Sequence, residues 1–158
     1  MNQFNFTMPT KFYVGFGQVN VLQEIAGDYG KKALLCADST MGQLGFLDKV
    51  KGLLEKAGVE VEVIDNVQPN PKDVDIDRQV AYFLEKKCDF AVGLGGGSSM
   101  DTAKAVAFLA AQNDGSVRDY VAGGSKSGLE NVKQPYPVIC ITTTAGTGSE
   151  ATKWFVVT

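Results

Sequence analysis

The sequence predicts a doubly wound α/β fold, a mostly parallel sheet with helices on both faces. Three observations predict it. Short apolar runs alternate with amphipathic stretches along the 158 residues. Two of the runs, Ala33–Ala37 and Phe90–Leu94, are apolar throughout, as strands buried on both faces are. Glycine-rich turns follow the runs at Gly93–Gly97 and Gly146–Gly148, with smaller groups at Gly15–Gly17 and Gly123–Gly124.

Each element has its own reason. Lys11–Val14 reads as a short strand ended by Gly15-Phe16-Gly17. Val19–Tyr29 carries Val21, Leu22, Ile25 and Ala26 at helical spacing, and Gly30 is placed to close that helix. After the strand Ala33–Ala37, Leu44–Ala57 is helical in pattern and stops at Gly58. Val59–Ile64 alternates valine with glutamate, so one face is wet and an edge strand fits. Gln68-Pro69-Asn70-Pro71 is a hard break. Val74–Lys87 is a helix with Ile76, Val80, Phe83 and Leu84 on its apolar face. Phe90–Leu94 leads through Gly95-Gly96-Gly97 into a helix over about Met100–Ala111. Asn113–Pro135 reads as a loop with a short helix near Val117–Val121. Val138–Thr142 is a strand, and Thr152–Val157 is β-prone. The order is β-α-β-α-β-α-β-α-loop-β-β, one domain over residues 1–158.

Composition excludes several functions. The net charge of −3 lacks the basic stripe that a nucleic-acid surface requires. No run of about 18 apolar residues is present, so no membrane span is expected. Met1–Phe12 lacks the basic patch and apolar core of a signal peptide. Histidine, the commonest metal ligand and general base, is absent. Cys36, Cys88 and Cys140 lie far apart without a CxxC pair, which fits reduced, mostly buried thiols in a cytoplasmic protein.

Four features carry chemistry. The strongest is Gly95-Gly96-Gly97-Ser98-Ser99-Met100-Asp101-Thr102-Ala103-Lys104, a turn between strand and helix. Glycines let the backbone approach a ligand closely. The free N–H groups and partial positive charge of a helix N-terminus suit a phosphate. Ser98 is placed to cap the helix or to donate to a phosphate oxygen, and Asp101 falls in the first turn. The string is not a P-loop, because Gly-Lys-Ser/Thr is missing. Asp38, just past a strand, fits either a ribose acceptor that favours NAD over NADP or an ordinary cap. Thr142–Thr152 is dense in hydroxyls and glycines, a polar clamp or a turn of small residues. Pro69-Asn70-Pro71 fixes a loop and is expected to hold Asn70 extended.

These residues together resemble the amino-terminal half of the iron-containing (group III) metal-dependent alcohol dehydrogenases. The resemblance is carried by Phe16-Gly17, Asp38, Pro69-Asn70-Pro71, GGGSSMDTAKA at 95–105 and TTAGTGSEAT at 143–152, and it covers essentially the whole chain. Glycerol dehydrogenases and dehydroquinate synthases share the fold but match these strings less well. Thr142 stands where the family often has proline. The resemblance implies a Rossmann-like dinucleotide-binding domain. It also implies a helical, metal-binding catalytic domain, absent from this chain, and hydride transfer between alcohols and aldehydes or ketones. NAD or NADP would be the cofactor, with iron or zinc only in the full-length parent. Carried over by motif, Asp38 would meet the adenosine ribose. Gly95, Gly96, Gly97, Ser98 and Asp101 belong to the pyrophosphate turn. Asn70, Thr143, Thr144, Thr147, Ser149 and Thr152 would line the rest of the channel. The family's metal ligands, an aspartate and three histidines, lie in the helical half, so a chain without histidine cannot build that site. Thr158 falls inside the predicted last strand and reads as a truncation. The chain alone is therefore expected to bind the cofactor and not to catalyse, and a homo-oligomer is expected. The alternative is a stand-alone module that binds a nucleotide or phosphate without chemistry.

Overall fold

The computed structural model describes residues 8, 10–128 and 132–158. Most of Met1–Phe12 and residues 129–131 of the Asn113–Pro135 loop lie outside the described residues.

Four strands make one parallel sheet in the order β2-β1-β3-β4, with β1 over Lys32–Ala37, β2 over Glu60–Ile64, β3 over Phe90–Gly95 and β4 over Val138–Thr142. The register aligns Cys36 with Ile64 and Gly93, and Gly95 with Thr142. Because every strand runs the same way, all four carboxyl ends open on one edge of the sheet. The two central strands are almost wholly buried, which is why they read as continuous apolar runs. β2 is an edge strand, as its Val/Glu alternation predicts. Lys32 of β1 reaches across to Glu60 at 2.9 Å and Glu62 at 3.0 Å, and the Tyr82 hydroxyl donates to Glu62 at 2.6 Å.

Side chains leave a strand alternately to its two faces, so the two central strands feed two cores. Ala33, Leu35, Ala37, Phe90, Val92 and Leu94 point to one face, which α1 (Leu22–Ile25) and α3 (Phe46–Lys56) cover. Leu34, Cys36 and Ala91 point to the other, where α4 (Asp73–Glu85) and α5 (Gly97–Gln112) pack. Helices cover both faces, as predicted. On the α5 face, β3 presents Ala91 and then Gly93. A Cβ on Gly93 would stand 2.7 Å from the Met100 Cα and 2.9 Å from the Ser99 carbonyl oxygen. The missing side chain is what lets the first turns of α5 lie directly on the strand.

Several boundaries differ from the sequence reading. The predicted helix 44–57 is present as α3 over Phe46–Lys56, starting two residues late because Gly45 at φ 75° is its N-cap, and the short α2 (Ser39–Gln43), not predicted, ends just before it at Leu44. The stretch 18–28 is two 3-10 turns around the short α1. α5 begins at Gly97, ahead of Met100, because Gly96 itself is the N-cap. The short helix predicted near Val117 is α6 (Val117–Tyr120), held by a capping box between Ser116 and Asp119. Lys11–Val14 and Thr152–Val157 are not strands. Both are β-prone, but a strand exists only through a ladder partner, and among the described residues neither has one. The final segment spends its polar groups elsewhere: the Thr158 N–H donates to the Pro71 carbonyl at 2.9 Å, and the Thr158 carbonyl accepts the Asp73 N–H at 3.1 Å.

The three cysteines are free; Cys36 and Cys88 are buried and Cys140 is half-buried. Burial pushes the Cys36 thiol up to about 12, and the Cys88 and Cys140 thiols up to about 11. A raised thiol pKa favours the fold below the unfolded value of 9.0, and that contribution is lost as pH rises from there toward about 12. We expect native chain at pH 8 to resist alkylation by iodoacetamide while urea-unfolded chain takes three labels. We also expect stability to fall above about pH 9; fast alkylation of native Cys36 would contradict the burial.

The close approach at Gly93 has its own test. Gly93→Ala should cost about 1–3 kcal/mol by urea unfolding, because backbone atoms stand where the methyl must go. Gly52, inside α3 with open space around it, is the control: Gly52→Ala should stabilise by about 0.5–1 kcal/mol.

Candidate functional site

The carboxyl edge of the sheet gathers the predicted residues. β3 ends at Gly95, whose φ of 136° lies where side chains are strained. A Cβ there would also meet the Ser99 Oγ at 2.9 Å and the Asp38 Oδ2 at 3.1 Å. The chain then turns through Gly96 into α5. Gly96 has no side chain to cap the helix, so no side-chain oxygen occupies the first-turn amides. A sixteen-residue helix thus points its bare N-terminus at the open edge of the sheet. That arrangement suits an anion.

Asp38 stands one strand over, at the end of β1. Its Oδ1 accepts the Thr40 N–H at 2.9 Å and caps α2. Its Oδ2 remains on the side of Gly95. The sequence offered a cap or a ribose acceptor as alternatives; the cap is present, and it engages one oxygen only.

Asn70 departs from expectation. Its φ is 53°, left-handed rather than extended. Asparagine tolerates this conformation better than most residues. The bend is pinned at both ends, since the Asn70 N–H donates to the Ser98 Oγ at 3.3 Å and its carbonyl accepts from the Thr158 Oγ1 at 3.2 Å. Ser98 therefore does not cap α5; it receives the 68–71 loop, which brings Asn70 beside the glycine turn.

The loop after β4 closes the third side. The Thr143 N–H donates to the Gly95 carbonyl at 3.0 Å. A Cβ on Gly96 would touch the Thr144 Oγ1 at 3.4 Å, and one on Gly97 would press the Thr147 Cγ2 at 3.3 Å. Thr143, Thr144 and Thr147 are exposed; the Thr147 Oγ1 accepts the Ser149 N–H at 3.5 Å and keeps its own proton to donate. Ser149 and Asp101 face each other instead: the Ser149 Oγ donates to the Asp101 Oδ1 at 2.6 Å, and Ser149 is buried. Thr152 is exposed, and its carbonyl lies 3.5 Å from the Lys104 Nζ. Asp38, Asn70, Gly95–Ser98 and Thr143–Thr147 thus converge on one shelf, while Asp101, Ser149 and Thr152 lie beneath its outer rim.

Two open spaces flank the shelf. One, about 470 Å³, lies at the β2 end between Asp65–Gln68 and α4, with Thr102 at its wall. The other, about 1010 Å³, runs along the outer edge of β4 between Val138–Thr142 and Thr10–Gly17. Lys104 and Glu150 line it. Sequence reasoning gave Lys104 no role of its own, although its spacing of three residues from Asp101 was a visible signal for a pair on one helix face.

The described residues do not offer a metal site. No histidine is present, and among the described residues no three Cys, Asp or Glu side chains gather to hold an ion. Among the described residues, no helix is long and apolar enough to cross a membrane.

Known proteins resemble the chain over nearly its whole length. The NAD-dependent methanol dehydrogenase of Bacillus methanolicus is 38% identical over 156 residues, 98% of this chain and 39% of that enzyme. The choline dehydrogenase of Bacillus subtilis is 41% identical over 154 residues, 97% of this chain and 38% of that enzyme. Among solved structures, an archaeal halo-thermophilic alcohol dehydrogenase from a Red Sea brine pool superposes with a TM-score of 0.91 at 37% identity, covering 99% of this chain and 40% of the other. The chain thus spans about two fifths of the length of the relatives it matches. The model of the iron-containing alcohol dehydrogenases matches residues 9–158, and the chain belongs to that family.

Proposed function

We propose that this chain is the dinucleotide-binding part of an alcohol dehydrogenase, and that the shelf at the carboxyl edge of the sheet holds NAD. The observation that carries the reading is the uncapped N-terminus of α5, laid against β3 through Gly93 and opened by Gly95-Gly96-Gly97. The sheet order then orients the ligand. β1, β3 and β4 are neighbours, so Asp38, the glycine turn and the Thr143–Thr147 loop stand in a row. The adenosine ribose meets Asp38, the pyrophosphate meets Gly96, Gly97 and Ser98, and the nicotinamide half lies toward the threonine loop. Asn70 closes the shelf from the β2 side. Asp101, Ser149 and Thr152 support the threonine-loop side of the site rather than touching the ligand.

The free Oδ2 of Asp38 accepts a ribose hydroxyl and repels a 2′-phosphate, which selects NAD over NADP. The relatives support NAD as well: the Bacillus methanolicus enzyme is named NAD-dependent. When bound, the nicotinamide supplies hydride transfer between an alcohol and its aldehyde or ketone; this chain binds and orients it. The metal, iron or zinc, and the alcohol pocket belong in this reading to a helical domain outside these 158 residues. The coverage of about two fifths and the lack of histidine support that division. Three free thiols and the absence, among the described residues, of a membrane-crossing helix support a cytoplasmic setting. The outer edge of β4, open along its cleft, supports a homo-oligomer or another covering chain.

Calorimetric titration tests the site. NADH should bind with clear preference over NADPH. Asp38→Asn keeps an N-cap but removes the charge, so the fold should hold while NADH affinity falls about tenfold and the preference narrows. Equal binding of the two nucleotides, or an Asp38→Asn chain that binds as before, would overturn the ribose assignment.

Activity tests the division of labour. With NAD, an alcohol and added iron or zinc, the chain alone should show no NADH production above the protein-free control. Clear turnover would contradict the reading that the metal and substrate are held elsewhere.

A further inference from the structure

Lys104 is a buried lysine in the middle of the site's scaffold. It is 9% exposed, and its Nζ donates to three carbonyls: Ser149 at 2.9 Å, Thr152 at 3.5 Å, and Trp154. The same ammonium lies 3.1 Å from the Asp101 Oδ1, one helical turn earlier on α5. Asp101 in turn accepts the Ser149 hydroxyl at 2.6 Å and the Val156 N–H at 3.1 Å. One ion pair on the helix is therefore hydrogen-bonded to four residues of the segment 149–156, Lys104 donating to Ser149, Thr152 and Trp154 and Asp101 accepting from Ser149 and Val156. That segment has little else to hold it: its only regular structure is the 3-10 turn Ser149–Ala151, and it has no ladder partner among the described residues.

The consequence runs upstream along the loop. Thr144 and Thr147 reach the glycine turn only if the loop lies flat over the first turn of α5, where Thr147 already meets the space above Gly97. Gly95 of β3 anchors the loop at Thr143, and the Asp101–Lys104 pair anchors it at Ser149. Between the anchors lie Gly146 and Gly148, both at positive φ, which give the span no stiffness of its own.

We propose that Lys104, paired with Asp101, is a positioning residue for the nicotinamide side of the dinucleotide site. It touches no cofactor atom; it acts by holding Thr144 and Thr147 in place. The proposal rests on the reading of the shelf as a dinucleotide site. It separates the two halves of the ligand. Adenosine diphosphate needs only Asp38 and the glycine turn, which do not depend on the clamp. NADH needs the threonine loop as well.

The test compares the chain with its Lys104→Met and Asp101→Asn variants, the second keeping its shape if the first fails to fold. Two readouts are taken: amide hydrogen exchange, and the affinities for NADH and ADP. In either variant, exchange across residues 143–156 should rise about tenfold or more, while β1 and β3 stay protected. NADH affinity should fall about tenfold or more and ADP affinity change less than about twofold. Unchanged exchange in the loop overturns the clamp. Faster exchange with unchanged NADH affinity, or equal losses for NADH and ADP, overturns its bearing on the nicotinamide side. A parent chain that binds ADP but not NADH overturns the proposal alone. One that binds neither, with its loop clamped as described, overturns the underlying reading of the shelf.

Discussion

The architecture of the site depends on one contact, the helix α5 lying on strand β3 with no side chain between them. At Gly93 a single methyl group would collide with the backbone of Met100 and Ser99. The helix cannot sit that close on any other residue, and nothing else at the edge of the sheet would be where it is if it sat further away. The close approach aims the helix axis at the carboxyl end of the strand. It brings Ser99 under Gly95 and draws Asp38 to the same point from the neighbouring strand. The loop after β4 and the Asn70 bend then fold down onto a fixed platform, through Gly95 and Ser98 respectively.

The polar groups of this edge fall into two layers with different work. The upper layer faces outward: Thr143 and Thr144 are exposed, Thr147 is exposed with its Oγ1 accepting only the long Ser149 N–H contact at 3.5 Å, and half-buried Asp38 keeps its second oxygen on the side of Gly95. The lower layer is committed: buried Lys104 and Ser149 and half-buried Asp101 satisfy one another and the carbonyls of the 149–154 segment. A buried ammonium with one carboxylate and three carbonyls is costly to break, because either partner left alone is a largely desolvated charge without its counter-ion. Groups that bind a ligand are left free; groups that shape the binding surface are not. Ser149 stands in the same string as the exposed threonines and Asp101 in the glycine-turn string, and only the hydrogen bond between them shows that they belong to the other layer.

Much of this was legible in the sequence, for identifiable reasons. The central strands announced themselves because burial on both faces leaves only apolar residues, as in Ala33–Ala37 and Phe90–Leu94. β2 announced its edge position through alternating glutamates. The glycine turn was visible because three consecutive glycines exceed what a helix cap needs. What was illegible depended on contacts distant in sequence. Lys11–Val14 and Thr152–Val157 have β-prone residues but no partner among the described ones, and local propensity carries no information about partners. The left-handed Asn70 was missed because the rule for residues before proline is local, whereas the bend is held by Ser98 and Thr158, 28 and 88 residues away. Lys104 looked like part of a motif's tail because its carbonyl partners lie some fifty residues downstream.

The most direct measurement is an amide chemical-shift map of the chain titrated with ADP, the simplest ligand that carries a pyrophosphate. The account requires the largest shifts at the amides of Gly96, Gly97 and Ser98, with smaller ones at Asp38 and Thr40 and little change along the β4 cleft. Shifts centred on the cleft between β4 and Thr10–Gly17, or none at the glycine turn, would contradict the claim that the bare N-terminus of α5 is the phosphate site.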